Sequence, residues 1–404
     1  MVKNDTVPVP RIEETISKRK MAPMAEDALG AAISEKIREY GELDSEVFKE
    51  PMIYAKRGQV REVVKVKFST KSPKGSWILF FDRNTGSLIE ERDMLWTVNG
   101  KGKVFIPNPV VTLDRDDLKD LADSFQTVFS KAYKTVVLKE VDRDGFLTGP
   151  YVDTGNTENR ATSPSLEFNY ARDDERFEEV MAYYHIDSVQ RYIQSLGFRD
   201  GKGILAQAVK VNANGSLLDQ SWYDPNTGKK DITYGSGGVD DGEDAEVIVH
   251  EYGHALMDAI IPGFGQSGEA EAIGEGFSDY LAGSFYEKYK KPARKVKLAE
   301  WDAKGYSEAG EECLRRLDSQ KHYPDEMESD CHANGEIWSA CLWKVRKLLG
   351  RKKADTVILE SGFYLNQYPD FKDGAEAILQ AEKNLYGGKK NKGLTKIFKD
   401  RGIL

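Results

Sequence analysis

Apolar and polar positions alternate through much of the first third of the chain and recur at helical spacing through the last third. Over Val63-Val64-Lys65-Val66-Lys67-Phe68 the period is that of a strand with one buried face, and Trp77-Ile78-Leu79-Phe80-Phe81, Asp82-Arg83-Asn84-Thr85-Gly86 and Ser87-Leu88-Ile89 read as strand, turn and strand. Val104-Phe105-Ile106 and Thr135-Val136-Val137-Leu138 predict further strands, broken by Pro107-Asn108-Pro109, and Asp142-Arg143-Asp144-Gly145 predicts another turn. Residues 1–50, rich in Lys, Glu and Arg with loosely spaced apolar residues, read as a peripheral helix or a mobile arm. A polar segment without periodicity at 151–165 reads as a linker, so a domain boundary is expected near residue 160. Beyond it, Phe177, Val180, Met181, Tyr184, Val189, Tyr192, Ile193 and Leu196 predict an amphipathic helix that stops at Gly197. Strands and turns return between 205 and 234, with Asn212-Ala213-Asn214-Gly215 and Asp224-Pro225-Asn226-Thr227-Gly228 as turn signals, and from Asp244 onward the pattern is chiefly helical. The fold class expected is α+β, with an arm over 1–50, a mainly β domain over 51–160 and a mixed domain over 161–404.

The composition narrows the functional classes. With 404 residues, 40% apolar and 31% charged, the chain can bury real cores, which excludes collagenous and fully disordered classes. A net charge of −9 gives no general attraction to nucleic acid phosphates or anionic lipid. No stretch approaches the roughly 18 apolar residues that cross a bilayer, and residues 1–19 are polar and charged, without the apolar core of an export signal. Neither a nucleic acid nor a membrane is therefore expected as a partner. Three cysteines, Cys313, Cys331 and Cys341, make no disulfide framework. Few cysteines suit the cytoplasm and the exterior alike, so localisation stays open.

The segment Val247-Ile248-Val249-His250-Glu251-Tyr252-Gly253-His254 carries H-E-x-x-H on a predicted helix. Residues at i and i+4 lie one turn apart on one face, so His250 and His254 can aim imidazole nitrogens at one ion, with Glu251 beside it able to reach a water. With five histidines in this composition the pattern arises by chance in roughly one sequence in two hundred, so it needs support. A catalytic zinc takes three protein ligands, and Gly274-Glu275-Gly276-Phe277-Ser278-Asp279 on the next helix offers Glu275 as the third. Asp279, four residues on, faces the same way and can accept the N–H of a ligand histidine. The run Asp330-Cys331-His332-Ala333-Asn334-Gly335-Glu336-Ile337-Trp338 then offers His332 as a donor to the carbonyl oxygen that gains charge when an amide is hydrolysed. Asp330 or Glu328 can hold the other nitrogen of His332, although Asp330 also suits a helix cap. Asp240, Asp241, Glu243, Asp244 and Glu246 offer carboxylates for calcium as a further ion, but no twelve-residue calcium loop is present, and the charge of a helix N-terminus explains them equally well.

Together, His250-Glu251-x-x-His254, Gly274-Glu275-Gly276-Phe277-Ser278-Asp279 and His332-x-Asn334-Gly335-Glu336-Ile337-Trp338 resemble the thermolysin-like and fungalysin-like gluzincin metallopeptidases, nearer the fungalysin side in the last motif. The resemblance covers residues 168–404. It implies a two-lobed catalytic domain, a β-rich lobe followed by a helical one, with zinc in the cleft between them. It implies one catalytic zinc on His250, His254 and Glu275, Glu251 as general base, Asp279 behind a ligand histidine and His332 as transition-state donor. Cys313-Leu314-Arg315-Arg316-Leu317-Asp318-Ser319 looks like the family segment whose arginine grips a substrate carbonyl, which favours Arg315. Gln220-Ser221-Trp222-Tyr223 approximates the family edge strand that pairs with substrate, placing Trp222 there. The tyrosine that thermolysin-like enzymes keep between the second histidine and the ligand glutamate is missing from 255–274. Residues 51–160 look like the propeptide modules of these peptidases, which would make the N-terminal domain an inhibitor of the precursor. The resembled family is usually secreted.

The reading is thus a zinc endopeptidase acting on peptide or protein substrates. Two rivals stand beside it: a zinc aminopeptidase, for which no acidic anchor is evident in the sequence, and a latent or inactive peptidase fold kept as a binding module.

Overall fold

Leu29, Ile33 and Ile37 recur four residues apart, and helix α1 (Glu26–Arg38) buries that stripe against Val66, Phe68, Leu79 and Phe81. Of the two readings of the first fifty residues, the helical one therefore holds over Glu26–Arg38. The computed structural model describes residues 25–404 other than 44, 57–58, 73, 94–96, 121–125, 200–202, 206, 226–229, 266–267 and 307–310. The first half of the expected arm and most of the turn at 224–228 lie outside the described residues. Two compact units divide the chain, 1–98 and 99–404.

In the first unit, β1 (Glu42–Leu43), β2 (Phe48–Lys56), β3 (Gln59–Ser72), β4 (Lys74–Asp82) and β5 (Leu88–Asp93) form one five-stranded antiparallel sheet. The alternation read from the sequence sets the register. Val66 pairs with Leu79 and Phe68 with Trp77, so Val66, Phe68 and Leu79 all turn to the face that α1 covers. The turn at Asp82 is an Asx type: its carboxylate accepts from the backbone N–H of Asn84 at 2.9 Å, and the Gly86 N–H donates to the Asp82 carbonyl at 2.9 Å.

The second unit starts earlier than the polar segment suggested. β6 (Thr97–Val104) lies between β7 (Lys134–Asp142) and β9 (Glu167–Phe168). Phe105 then stacks on Tyr133, with ring centroids 4.8 Å apart, and meets Phe177 edge-on at 5.0 Å. Phe177 opens helix α3 (Arg176–Ser195), the amphipathic helix expected there. After a short helix α2 (Pro109–Leu113), Leu118 and Phe129 share a core with Val110, Val239 and Trp301, so the residues after 98 pack with the C-terminal part of the chain. The segment 151–165 imitates a linker because its polar side chains serve a buried acid. Glu179 accepts from the Thr154 hydroxyl and from the Ala161 N–H, and Thr157 bridges to Val211 and Ala213.

A four-stranded sheet comes next, in the order β11 (Trp222–Asp224), β12 (Asp231–Gly235), β10 (Val209–Ser216) and β8 (Val152–Asp153), with β11 antiparallel at its edge. The rest is helical: α4 (Ala245–Ile260), α5 (Gly268–Tyr286), α6 (Cys331–Leu349), α7 (Arg351–Gly362), α8 (Phe371–Tyr386) and α9 (Asn391–Lys399). A two-stranded ribbon, β13 (Lys297–Leu298) with β14 (Arg315–Arg316), crosses between α5 and α6. The result is a mixed α+β chain, β-rich first and helical last, as the patterning implied.

Two glycines bring the site helices close. A Cβ on Gly253 in α4 would sit 2.8 Å from the Ser278 Cα in α5, and one on Gly276 in α5 would sit 2.5 Å from the Gly335 carbonyl oxygen in α6. Close backbone approach leaves no room for a methyl. Gly276→Ala is expected to lower stability by about 1–3 kcal/mol through overpacking, read as a lower thermal unfolding midpoint by circular dichroism.

Candidate metal centre

Three helices converge on one group of side chains. Helix α4 begins at Asp244, whose carboxylate caps the Glu246 N–H at 3.0 Å and also accepts from Asn108 at 3.0 Å. Nearly two and three turns on, His250 and His254 point to the same side, their Nε2 atoms 3.2 Å apart. Glu275 on α5 places Oε2 3.1 Å from His250 Nε2 and Oε1 3.4 Å from His254 Nε2. Four residues further, Asp279 accepts from His250 Nδ1 at 2.8 Å, as the i, i+4 spacing of these acids anticipated.

These separations test the fit of a metal. In a tetrahedral site with bonds of 2.0–2.1 Å, neighbouring ligand atoms stand roughly 3.3–3.4 Å apart. The two Nε2 atoms, and each of them with its nearer Glu275 oxygen, lie 3.1–3.4 Å apart, close to that spacing, and Oε2 of Glu275 is buried with no hydrogen-bond partner. With Asp279 taking the proton of His250 Nδ1, the Nε2 lone pair is left facing the common point. Two imidazole nitrogens and one carboxylate oxygen make the donor set that zinc takes in hydrolytic sites, with a position left for water.

Electrostatics separates the roles. Burial opposes the charged form of His250, but Asp279 and Glu275 outweigh it and push the imidazole up to about 10. Burial pushes His254 down to about 4. For Glu275, burial is overcome by the two histidines, and for Asp279 by Arg315 and His250, so both carboxyls are held well below the usual carboxylate range. Among the described residues Glu251 makes no ion pair. Burial pushes it up to about 7, with His250 pulling the other way.

Arg315 faces this cluster and Arg316 does not. The Arg315 guanidinium forks onto Asp279, Nε to Oδ2 at 2.7 Å and Nη2 to Oδ1 at 2.8 Å, whereas Arg316 pairs with Asp318 and Glu312. Asp330 does both things read for it. It caps α6 by accepting from the His332 N–H at 2.9 Å, and it lies 3.1 Å from His332 Nδ1. Glu328 turns instead to Lys321 at 3.1 Å. His332 sends Nε2 to within 3.4 Å of Glu275 Oε2, with about half of its side chain exposed. Trp222 lies on the edge strand β11, opposite Thr233, and lines a second cavity together with Glu251, His254 and His332.

Of the carboxylates considered for calcium, several are already engaged. Glu243 takes the Arg172 guanidinium and the Trp301 indole N–H, and Glu246 takes the buried Lys290 ammonium at 2.7 Å. Asp241 instead stands with Asp219 and Asp302, at the side of a cavity that reaches His250 and Glu251. Sequence reasoning missed Asp219, Asp302 and Tyr306, which lines the same cavity. They sit in or beside irregular segments with no periodicity to mark them.

Known proteins match this part of the chain. Residues 232–403 match the fungalysin metallopeptidase family (M36), a span that includes His250, Glu251, His254, Glu275, Asp279, Arg315, Asp330 and His332. Over 202 residues the chain is 27% identical to the extracellular metalloproteinase MEP of Pyricularia oryzae, which covers 42% of this chain and 32% of that protein. The chain therefore spans about a third of the length of this curated relative. Over residues 232–403 the chain is similar to the fungalysin metallopeptidases, in keeping with the motif resemblance.

Proposed function

We propose that the chain is a zinc-dependent endopeptidase. The observation that carries this reading is the convergence of the His250, His254 and Glu275 donor atoms, 3.1–3.4 Å apart, with Glu251 next in sequence to His250 and His332 Nε2 3.4 Å from Glu275. The ion they would hold supplies Lewis acidity and lowers the pKa of a water to about 7. Glu251 takes the proton of the attacking water and delivers it to the leaving nitrogen, so one carboxyl serves as base and then as acid. His332, with Nδ1 against Asp330, donates from Nε2 to the carbonyl oxygen as it gains charge. Asp279 holds His250 in the tautomer that binds metal, and Arg315 holds Asp279 ionised. Trp222 and the edge position of β11 in its sheet offer an extended peptide a strand to pair with.

A doubly blocked, internally quenched peptide tests the reading. An endopeptidase cuts it between blocked ends; an aminopeptidase cuts only the unblocked form, and a binding module cuts neither. Asp330→Ala is expected to cost about 1 kcal/mol of stability through the lost cap. It should also lower kcat by about tenfold with little change in KM, because His332 loses the group that orients it. Equal kcat for the variant and the parent chain would remove His332 and Asp330 from the mechanism.

The N-terminal unit carries its own sheet, helix and core, which supports reading it as a separate propeptide-like module. On that reading the restraining module lies N-terminal to β6, and its proteolytic removal raises activity.

A further inference from the structure

The cavity that reaches His250 and Glu251 has an unusual lining. It has a volume of about 200 Å³, and its walls include Val247, Ala282, Leu298 and Leu314. Besides this aliphatic sleeve, the cavity is lined by Asp219, Asp241 and Asp302, whose carboxylate oxygens lie within 4.8 Å of one another. Asp241 and Asp302 are 3% and 2% exposed, so water does little for their charge. Several buried acids nearby have a cation: Glu243 has Arg172, Glu246 has Lys290 and Glu300 has Arg294. Among the described residues, none of the three aspartates has an ion pair. Asp241 accepts from the Ser221 hydroxyl, but Oδ1 of Asp302 and Oδ1 of Asp219 are buried without a hydrogen-bond partner. Arg315, the cation that shares the cavity, is committed to Asp279.

We propose that this cavity receives a lysine or arginine side chain of the substrate, from a residue flanking the scissile bond. The methylene stem lies along the aliphatic walls and the charged head among the three carboxylates. An apolar sleeve lined also by carboxylates without an ion pair complements a side chain that is apolar along its length and cationic at its tip. A bare divalent cation would use the carboxylates and leave the sleeve empty, and a free α-amine carries no stem to fill it. Burial pushes Asp241 up to about 6 and Asp302 well above the usual carboxylate range, so a cation seated between them restores both charges. The inference rests on the peptidase reading for its substrate, but the pocket can be tested apart from catalysis.

The full zinc-loaded chain is assayed on blocked quenched peptides that differ only in the residues flanking the cut, with products mapped by mass spectrometry. Lysine and arginine peptides should exceed the leucine peptide in kcat/KM by about tenfold or more, and Asp302→Asn should reduce that ratio by about tenfold or more. Where Asp302→Asn does not fold, Asp219→Asn, which is partly exposed, replaces it. A leucine peptide cut as well as the lysine peptide overturns the proposal, as does an equal loss on all peptides in the variant. In parallel, calorimetric titration compares acetyl-arginine amide with acetyl-norleucine amide. Tighter binding of the arginine compound, lost in the variant, upholds the pocket even if no peptide is cut, in which case the peptidase reading falls alone. Equal binding of the two compounds overturns the pocket. Stabilisation of the zinc-loaded chain by calcium that disappears in Asp302→Asn assigns the carboxylates to a metal and likewise overturns it.

Discussion

Replacement of Glu251 by glutamine is expected to abolish peptide hydrolysis, by at least about a thousandfold in kcat, while the chain keeps its metal. Glu251 contributes no atom to the group of donors formed by His250, His254 and Glu275, so the site loses a proton carrier and no ligand. Its carboxyl is buried and makes no ion pair among the described residues, and glutamine has nearly its shape, so packing is preserved. Without a carboxylate the attacking water keeps its proton and the leaving nitrogen receives none. Steady-state kinetics on a blocked peptide, with metal content measured on the same sample, separates this outcome from loss of the ion. Full activity in Glu251→Gln would take Glu251 out of the mechanism.

His254→Ala should act on the other half of the site. Zinc binding free energies of about 10–16 kcal/mol are shared among three or four ligands, so removing one weakens affinity by roughly 10²–10³-fold or more. His254 lies at the mouth of the cluster with about a quarter of its side chain exposed, and its loss leaves the close contact at Gly253 intact. The chain should therefore fold with its metal released under mild chelation, and with activity lost. Asp279→Asn makes the graded comparison. It leaves all three donors and disturbs only the partner of His250, so affinity should fall by about 10–100-fold. Competitive titration with a coloured chelator ranks parent, Asp279→Asn and His254→Ala, and an effect of Asp279→Asn equal to that of His254→Ala would contradict the assigned roles.

How much of this was legible in the sequence depends on distance along the chain. His250 with His254, and Glu275 with Asp279, are one-turn pairs on single helices, and helical geometry alone puts each pair on one face. The contacts between those helices are not local. They rest on Gly253 and Gly276, whose need for close approach appears only once a neighbouring backbone is in place. Arg315 and Arg316 are indistinguishable as neighbours in a sequence; the alternation of the two-residue strand sends one to Asp279 and the other to Asp318. The sequence suggests a boundary near residue 160 because polar composition at 151–165 signals exposure, whereas Thr154 and Thr157 are buried and bond to an interior acid, Glu179, and to strand backbone at Val211 and Ala213, and the compact units divide at 98/99. The acidic pocket was invisible for a similar reason. Asp219, Asp241 and Asp302 come from three separated segments, and nothing local tells a buried aspartate from a solvated one.

The central claim is that His250, His254 and Glu275 together hold one zinc ion. The most direct measurement is metal content of the full chain after equilibrium dialysis against zinc, by elemental mass spectrometry, alongside His254→Ala under the same conditions. The account predicts one zinc per parent chain, removed by a chelator, and far less in the variant. A folded parent chain that takes up no zinc, or a variant that holds it equally well, would contradict the claim.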